Sequence, residues 1–129
     1  MAWPTLGEMI AAGERLVVLA EEPGIDTPDW YHYQWDHAFD TEYSVERAED
    51  FACELKRGDT ANALFGLNHF VTLLGGDELL AVTPNDPQNI TSHIAECEAS
   101  FGRLPNYLAV DFHDVGNVVE TVRTLNARQ

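Results

Sequence analysis

Three short apolar runs limit what this chain can become: RLVVLA (residues 15–20), ALFGLNHF (63–70) and NYLAVDF (106–112). Each is a near-continuous hydrophobic stretch of strand length, the kind buried on both faces of a parallel sheet. Helical patterns separate them. PTLGEMIAAGE places Thr5 and Glu8 at capping-box spacing and ends on Gly13. A second, weaker helical segment is read over 45–56, and a third helix carries Ile90, Ile94, Cys97 and Phe101 on one stripe, ending at Gly102. Asp114 is read as the N-cap of a closing amphipathic helix with Val115, Val118, Val119, Val122 and Leu125 on its apolar side.

The predicted order is therefore helix, strand, long loop, helix, strand, long loop, helix, strand, helix: an α/β chain with a parallel sheet and one partial domain over residues 1–129. Three strands leave two apolar edges that no lysine or proline guards, so the fold is part of something larger or associates with itself. The 24 residues from Glu21 to Ser44 show neither helical nor strand period, are rich in aromatics, and are too long for a passive connector.

Charge removes whole classes of partner. Seven basic residues against 22 acidic ones give −15, which repels nucleic acid and anionic headgroups alike. No run of about 18 apolar residues is present to cross a membrane, and MAWPTLGEMI has neither the basic head nor the apolar core of a signal peptide. Phosphate-cradling glycine loops and nucleophile elbows are absent as well. Two cysteines, Cys53 and Cys97, do not define a disulfide framework by count, and free buried thiols are the plain alternative.

Chemistry is expected where strands feed loops. Alternation along the last strand sets Tyr107, Ala109 and Asp111 on one face and Leu108, Val110 and Phe112 on the other, so a carboxylate reaches the strand's C-terminal end. Helix capping would be its bland role, one for which Asp114 is better placed. Asn68 and His69 stand at the same end of another strand, although a lone histidine there is more often a satisfied core residue. His32, Asp36 and His37 in WYHYQWDH lack a third ligand at a defined spacing, so no metal site and no cofactor are expected. The arginines and Lys56 all fall away from strand C-termini, leaving no obvious clamp for a phosphate.

The ordered set NHF, a cysteine, GRLPN and VDFHDVG, together with WPTLGEMIAAGERLVVLAEE and DTEYSVERAEDFACELKRGD, resembles the C-terminal half of phosphatidylinositol-specific phospholipase C-like phosphodiesterases of the secreted bacterial and fungal branch. The resemblance implies the C-terminal half of a TIM (β/α)8-like barrel, a fold of about 250 residues when whole. It implies phosphoric diester hydrolysis by a general-base histidine, a general-acid histidine and an arginine, all on the missing first strands, so this chain by itself should not catalyse. Asp111 would orient that general-base histidine, the job an aspartate has in a serine-protease triad.

Glu21, Trp30, Tyr33, Asn68, His69 and His113 would form the substrate mouth, with Glu21 taking substrate hydroxyls. Cys53 and Cys97 could pair, which favours an oxidising, extracellular compartment for the parent. Partners would be a small-molecule or lipid phosphodiester and an N-terminal half-barrel. Two readings stay open beside this one: a non-catalytic half-barrel that binds or assembles by dimerising, and a metal-dependent hydrolase built on His32, His37 and Asp111.

Overall fold

The structure is a computed structural model that describes residues 3–73 and 76–128. Helix α1 (Leu6–Ala12) starts as its sequence requires: the Thr5 side chain accepts the Glu8 amide at 3.3 Å while the Glu8 carboxylate accepts the Thr5 amide at 2.8 Å. Gly13, at φ 81°, ends it in the left-handed conformation. Strand β1 (Val18–Ala20) then pairs in parallel with β2 (Tyr31–Tyr33) as a separate two-stranded sheet.

The main sheet has the order β4-β3-β5-β6, formed by β3 (Ala38–Thr41), β4 (Leu55–Gly58), β5 (Leu64–Asn68) and β6 (Tyr107–Ala109). β3, β5 and β6 run parallel and β4 antiparallel. Helices α2 (Glu78–Ala81), α3 (Pro87–Phe101) and α4 (Val118–Asn126) complete the chain, and α3 packs against α4. The α/β class with parallel strands holds. Among the described residues the strands form an open sheet and a pair, with no closed barrel.

Two elements correct the sequence reading. Segment 45–56, expected to be helical, holds only a 3-10 turn at Ala48–Asp50 before entering β4. β4 is an edge strand whose residues Leu55, Lys56 and Gly58 are exposed, so no apolar period betrays it. β3 lies inside the stretch that showed no period, because all four of its residues are buried and alternation has nothing polar outside to contrast with. A third correction concerns Asp114: α4 begins four residues later, with Asn117 at its N-cap and no side-chain cap.

One face of the sheet meets α3 and α4. Phe39, Phe65, Leu67, Ile90, Ile94, Cys97 and Val118 form the core. Phe39 and Phe65, neighbours on β3 and β5, stack at 4.6 Å between centroids, and Phe101 closes edge-on over both. Cys53 and Cys97, 44 residues apart, are joined by a disulfide that ties the loop before β4 to α3.

Gly58 lies against Phe39 at φ 81°, and a Cβ there would meet the Ala38 carbonyl oxygen at 2.1 Å and the Phe39 Cα at 2.8 Å. Backbone cannot yield as a side chain can. Gly58→Ala is expected to cost at least about 2 kcal/mol, read as a fall in the urea midpoint, because it adds left-handed strain to the clash.

Candidate functional site

The sheet face opposite the Phe39–Phe65 stack carries polar groups towards the C-terminal ends of the parallel strands. Alternation puts Asp40 of β3 and Asn68 of β5 on this face. Because β4 is antiparallel, it sets Arg57 directly opposite Asp40. Arg57 donates through Nε and Nη2 to the Asp40 carboxylate and through Nη1 to Glu21 at 3.2 Å, while Asn68 donates to Asp40 at 3.1 Å and to the Thr41 carbonyl at 2.7 Å. The guanidinium sits 4.3 Å from the Trp35 ring centroid and 4.5 Å from that of Tyr43. Asn62 in turn donates to the Trp35 and Ala38 carbonyls, holding the turn that presents Trp35.

Sequence reasoning left this arginine out, since it placed Arg57 after a helix. Strand β4 places a cation on the polar face of the sheet, opposite Asp40. Asp40 holds the Arg57 guanidinium firmly protonated, its pKa raised chiefly by their hydrogen bonds. Its charge is already matched: Asp40 is 6% exposed beside it and Glu21 is 61% exposed in front. One cation between two carboxylates is a poor phosphate clamp. It is a good fixed frame for hydroxyl groups, with Glu21 free to accept them and two aromatic faces alongside.

The other predicted residues are divided. Asp111 lies just past β6, two residues beyond Ala109, the register partner of Asn68. Its carboxylate takes part in no hydrogen bond or ion pair among the described residues. The turn that carries it is held by buried Asn85, whose side chain donates to the carbonyls of Asp111, Phe112 and Val115. Phe112 adopts φ 49°, turning the chain immediately after Asp111, and His113 is exposed in the same turn. Asn85, in the loop before α3, offered no signal in sequence; its role exists only across 26 residues.

Tyr33 is half-buried in β2. Trp30 is exposed and, with Trp3, Pro4, Met9, His32 and His37, lines a cavity of about 510 Å³ that shares no residue with the Arg57 cluster. His32 and His37 pack edge to face at 5.3 Å, with Trp3 beside both. The structure therefore places Trp30 and these histidines in an aromatic cluster of their own.

His69 departs from Asn68 because adjacent strand residues point to opposite faces. It is 1% exposed on the helix side of the sheet, and its Nε2–H donates to the Pro84 carbonyl at 2.8 Å. Its Nδ1 lies 2.8 Å from Nδ1 of His93, on α3, and Phe51 covers both rings. Burial pushes His93 down to about 4 from 6.5, helped by its histidine neighbour, and lowers His69 as well. As pH falls below 6.5 the unfolded chain takes up a proton that folded His93 refuses until about 4, so stability is intact above 6.5 and drains away across that window. The urea midpoint should fall from about pH 7 to 5, before most carboxylates titrate, and His93→Gln should flatten that fall.

The PI-PLC X 1 family model matches residues 1–126, and the chain belongs to that family, the PI-PLC X domain proteins. A PI-PLC X domain-containing protein of the fungus Arthroderma benhamiae is 28% identical over 96% of the chain, covering 45% of its own length. One from Arabidopsis thaliana is 24% identical over 96% of the chain and 30% of its own length. A second Arthroderma benhamiae relative, described only as an uncharacterized secreted protein, is 26% identical over 98% of the chain and 33% of its own length. The chain thus spans less than half the length of the curated relatives it matches. No solved structure matches. No helix among the described residues is long and apolar enough to cross a membrane.

Proposed function

We propose that this chain is the C-terminal half of a phospholipase C-like phosphodiesterase barrel that forms the substrate mouth and is inactive by itself. The observation that carries this reading is the frame of Arg57, Asp40, Asn68 and Glu21 at the C-terminal ends of parallel strands, where barrel enzymes of this architecture place their chemistry. Glu21 and Asn68 address the hydroxyls of a polyol headgroup, Trp35 and Tyr43 flank the frame, and Asp111 awaits a general-base histidine from the N-terminal half. The phosphate clamp and the acid and base come from that half, since Arg57 is already matched by carboxylates. Membership of the family and a span of 30–45% of its relatives support the assignment.

Exposed Leu6, Leu16, Ile25 and Trp30 (77%, 82%, 91% and 61%) give the missing half apolar surface to cover. The same surface favours the second reading, a module that completes itself by dimerising, and a symmetric dimer in solution would mark it. The disulfide and the secreted relative support a location outside the cell.

The test is an NMR titration of the 129-residue chain with myo-inositol, alongside an assay with a phosphoinositide. Inositol is expected to shift the amides of Glu21, Trp35, Arg57 and Asn68. Glu21→Gln, at an exposed position that leaves the Arg57–Asp40 pair in place, should abolish those shifts while the rest of the spectrum persists. Absence of any shift would remove the mouth from the reading; hydrolysis above blank would sink the inactive half.

A further inference from the structure

The residues that carry this inference lie on the other side of the sheet from the mouth. His93 and Cys97 are four apart on α3, which puts them on one helix face, and the disulfide brings Cys53 to the same point. A ring nitrogen of His93 and the two sulfurs all lie within 4.8 Å of one another. A tetrahedral zinc site holds such atoms about 3.5–3.8 Å apart, so the sulfurs, bonded to each other here, must part after reduction while the histidine nitrogen closes in by about 1 Å.

The hydrogen-bond chain leaves one nitrogen of His93 available to a metal. The Pro84 carbonyl can only accept, so His69 carries its proton on Nε2 and presents a bare Nδ1. His93 must then donate from its own Nδ1, which leaves its Nε2 with a lone pair. That Nε2 is buried and makes no hydrogen bond of ordinary geometry, the ring's other polar neighbour being the Ala52 backbone, and it belongs to a residue only 4% exposed. An orphaned acceptor at such a depth is costly unless something takes up its lone pair. A metal-bound histidine that donates its other N–H to a buried acceptor shows the same arrangement. A cavity of about 300 Å³ reaches the His93 side of this point, where Glu49 and Glu96 favour an approaching cation, while the cysteines lie behind its wall.

We infer that reduction of the Cys53–Cys97 disulfide converts this point into a zinc-class metal site, with Cys53, Cys97 and His93 as protein ligands, water from the cavity as the fourth, and His69 as the positioning residue behind His93. A phosphine reductant and one water turn the disulfide into two thiols and a phosphine oxide. The two thiols then release two protons as their thiolates bind one divalent ion, and His93 Nε2 contributes its lone pair. The disulfide and the metal are thus alternative cross-links between α3 and the loop before β4. Neither touches the Arg57 mouth, so the inference stands apart from the proposed function.

The experiment is a cobalt(II) titration of the whole chain, oxidised and phosphine-reduced, without oxygen. Sulfur-to-cobalt charge-transfer absorption is expected only after reduction, saturating at one ion per chain and erased by zinc. Cys97→Ser should lose the band. His93→Gln should weaken binding at least about tenfold, and His69→Ala about ten- to a hundredfold with the band's position kept. Should reduction melt the helical circular dichroism, zinc must restore it in the wild-type chain and fail to in His93→Gln. A reduced chain that stays folded yet gives no band, one that zinc does not refold, or a His93→Gln variant that binds as well as wild type overturns the site.

Discussion

Cys97→Ser is expected to lower the free energy of unfolding by about 4 kcal/mol. The estimate follows from chain entropy: the bond closes a loop of 44 residues, and opening a loop of that size frees the unfolded chain by roughly this amount. Cys97 is fully buried in the core, so a serine hydroxyl there adds a desolvation cost unless it finds a partner. Urea unfolding of the variant, compared with the oxidised wild type, measures the loss. Phosphine treatment of the wild type without metal should bring its midpoint down to near that of the variant. A wild-type curve indifferent to the reductant would mean that the cross-link contributes nothing to this fold. With total stabilities of 5–15 kcal/mol typical of single domains, a loss of about 4 is a large fraction.

Phe65→Ala should be comparably damaging, at about 3–5 kcal/mol. Phe65 has no exposure, stacks on Phe39 and supports the edge of Phe101, so its removal opens a cavity between sheet and α3 that three elements border. The cost arises from lost burial and from contacts that the surrounding backbone cannot restore by collapsing. Val119→Ala on α4, where the side chain is 54% exposed, supplies the control and should stay within about 0.5 kcal/mol. If the two variants unfold alike, the stack is not the centre of the core. Helical circular dichroism followed through urea unfolding reports both.

The parts of this fold that were legible in sequence are those decided by neighbours along the chain. Thr5 and Glu8 meet because a helix turn brings residues three apart together, and Gly13 and Gly102 end α1 and α3 because each needs a left-handed conformation. The apolar runs at 15–20, 63–70 and 106–112 contain β1, β5 and β6, but only β5 is largely buried; β1 is half-buried, and Tyr107 and Ala109 of β6 are exposed. The strand ends shrank, since Arg15 to Val17 and Val110 to Phe112 find no ladder partner. Asp114 looked like an N-cap, but Gly116, whose Cβ position is filled by Asn85, carries the turn onward and moves the helix start to Val118.

The sequence by itself determined the α/β class, the capping of α1, the glycine end of α3, the net charge of −15, and the family resemblance that the comparison bore out. Only the tertiary structure decided that Arg57 lies on the polar face of the sheet beside Asp40 and Asn68, because that depends on β4 pairing antiparallel with β3 and placing a guanidinium against a carboxylate 17 residues away. It likewise decided that Asn68 and His69, adjacent in the chain, serve opposite sides of a sheet, and that His93, which no sequence pattern singles out, meets both His69 and the disulfide. The physical reason is common to all three. A side chain's chemistry is set by the groups brought within a few ångströms of it, and strand pairing and helix docking, not chain order, choose those groups.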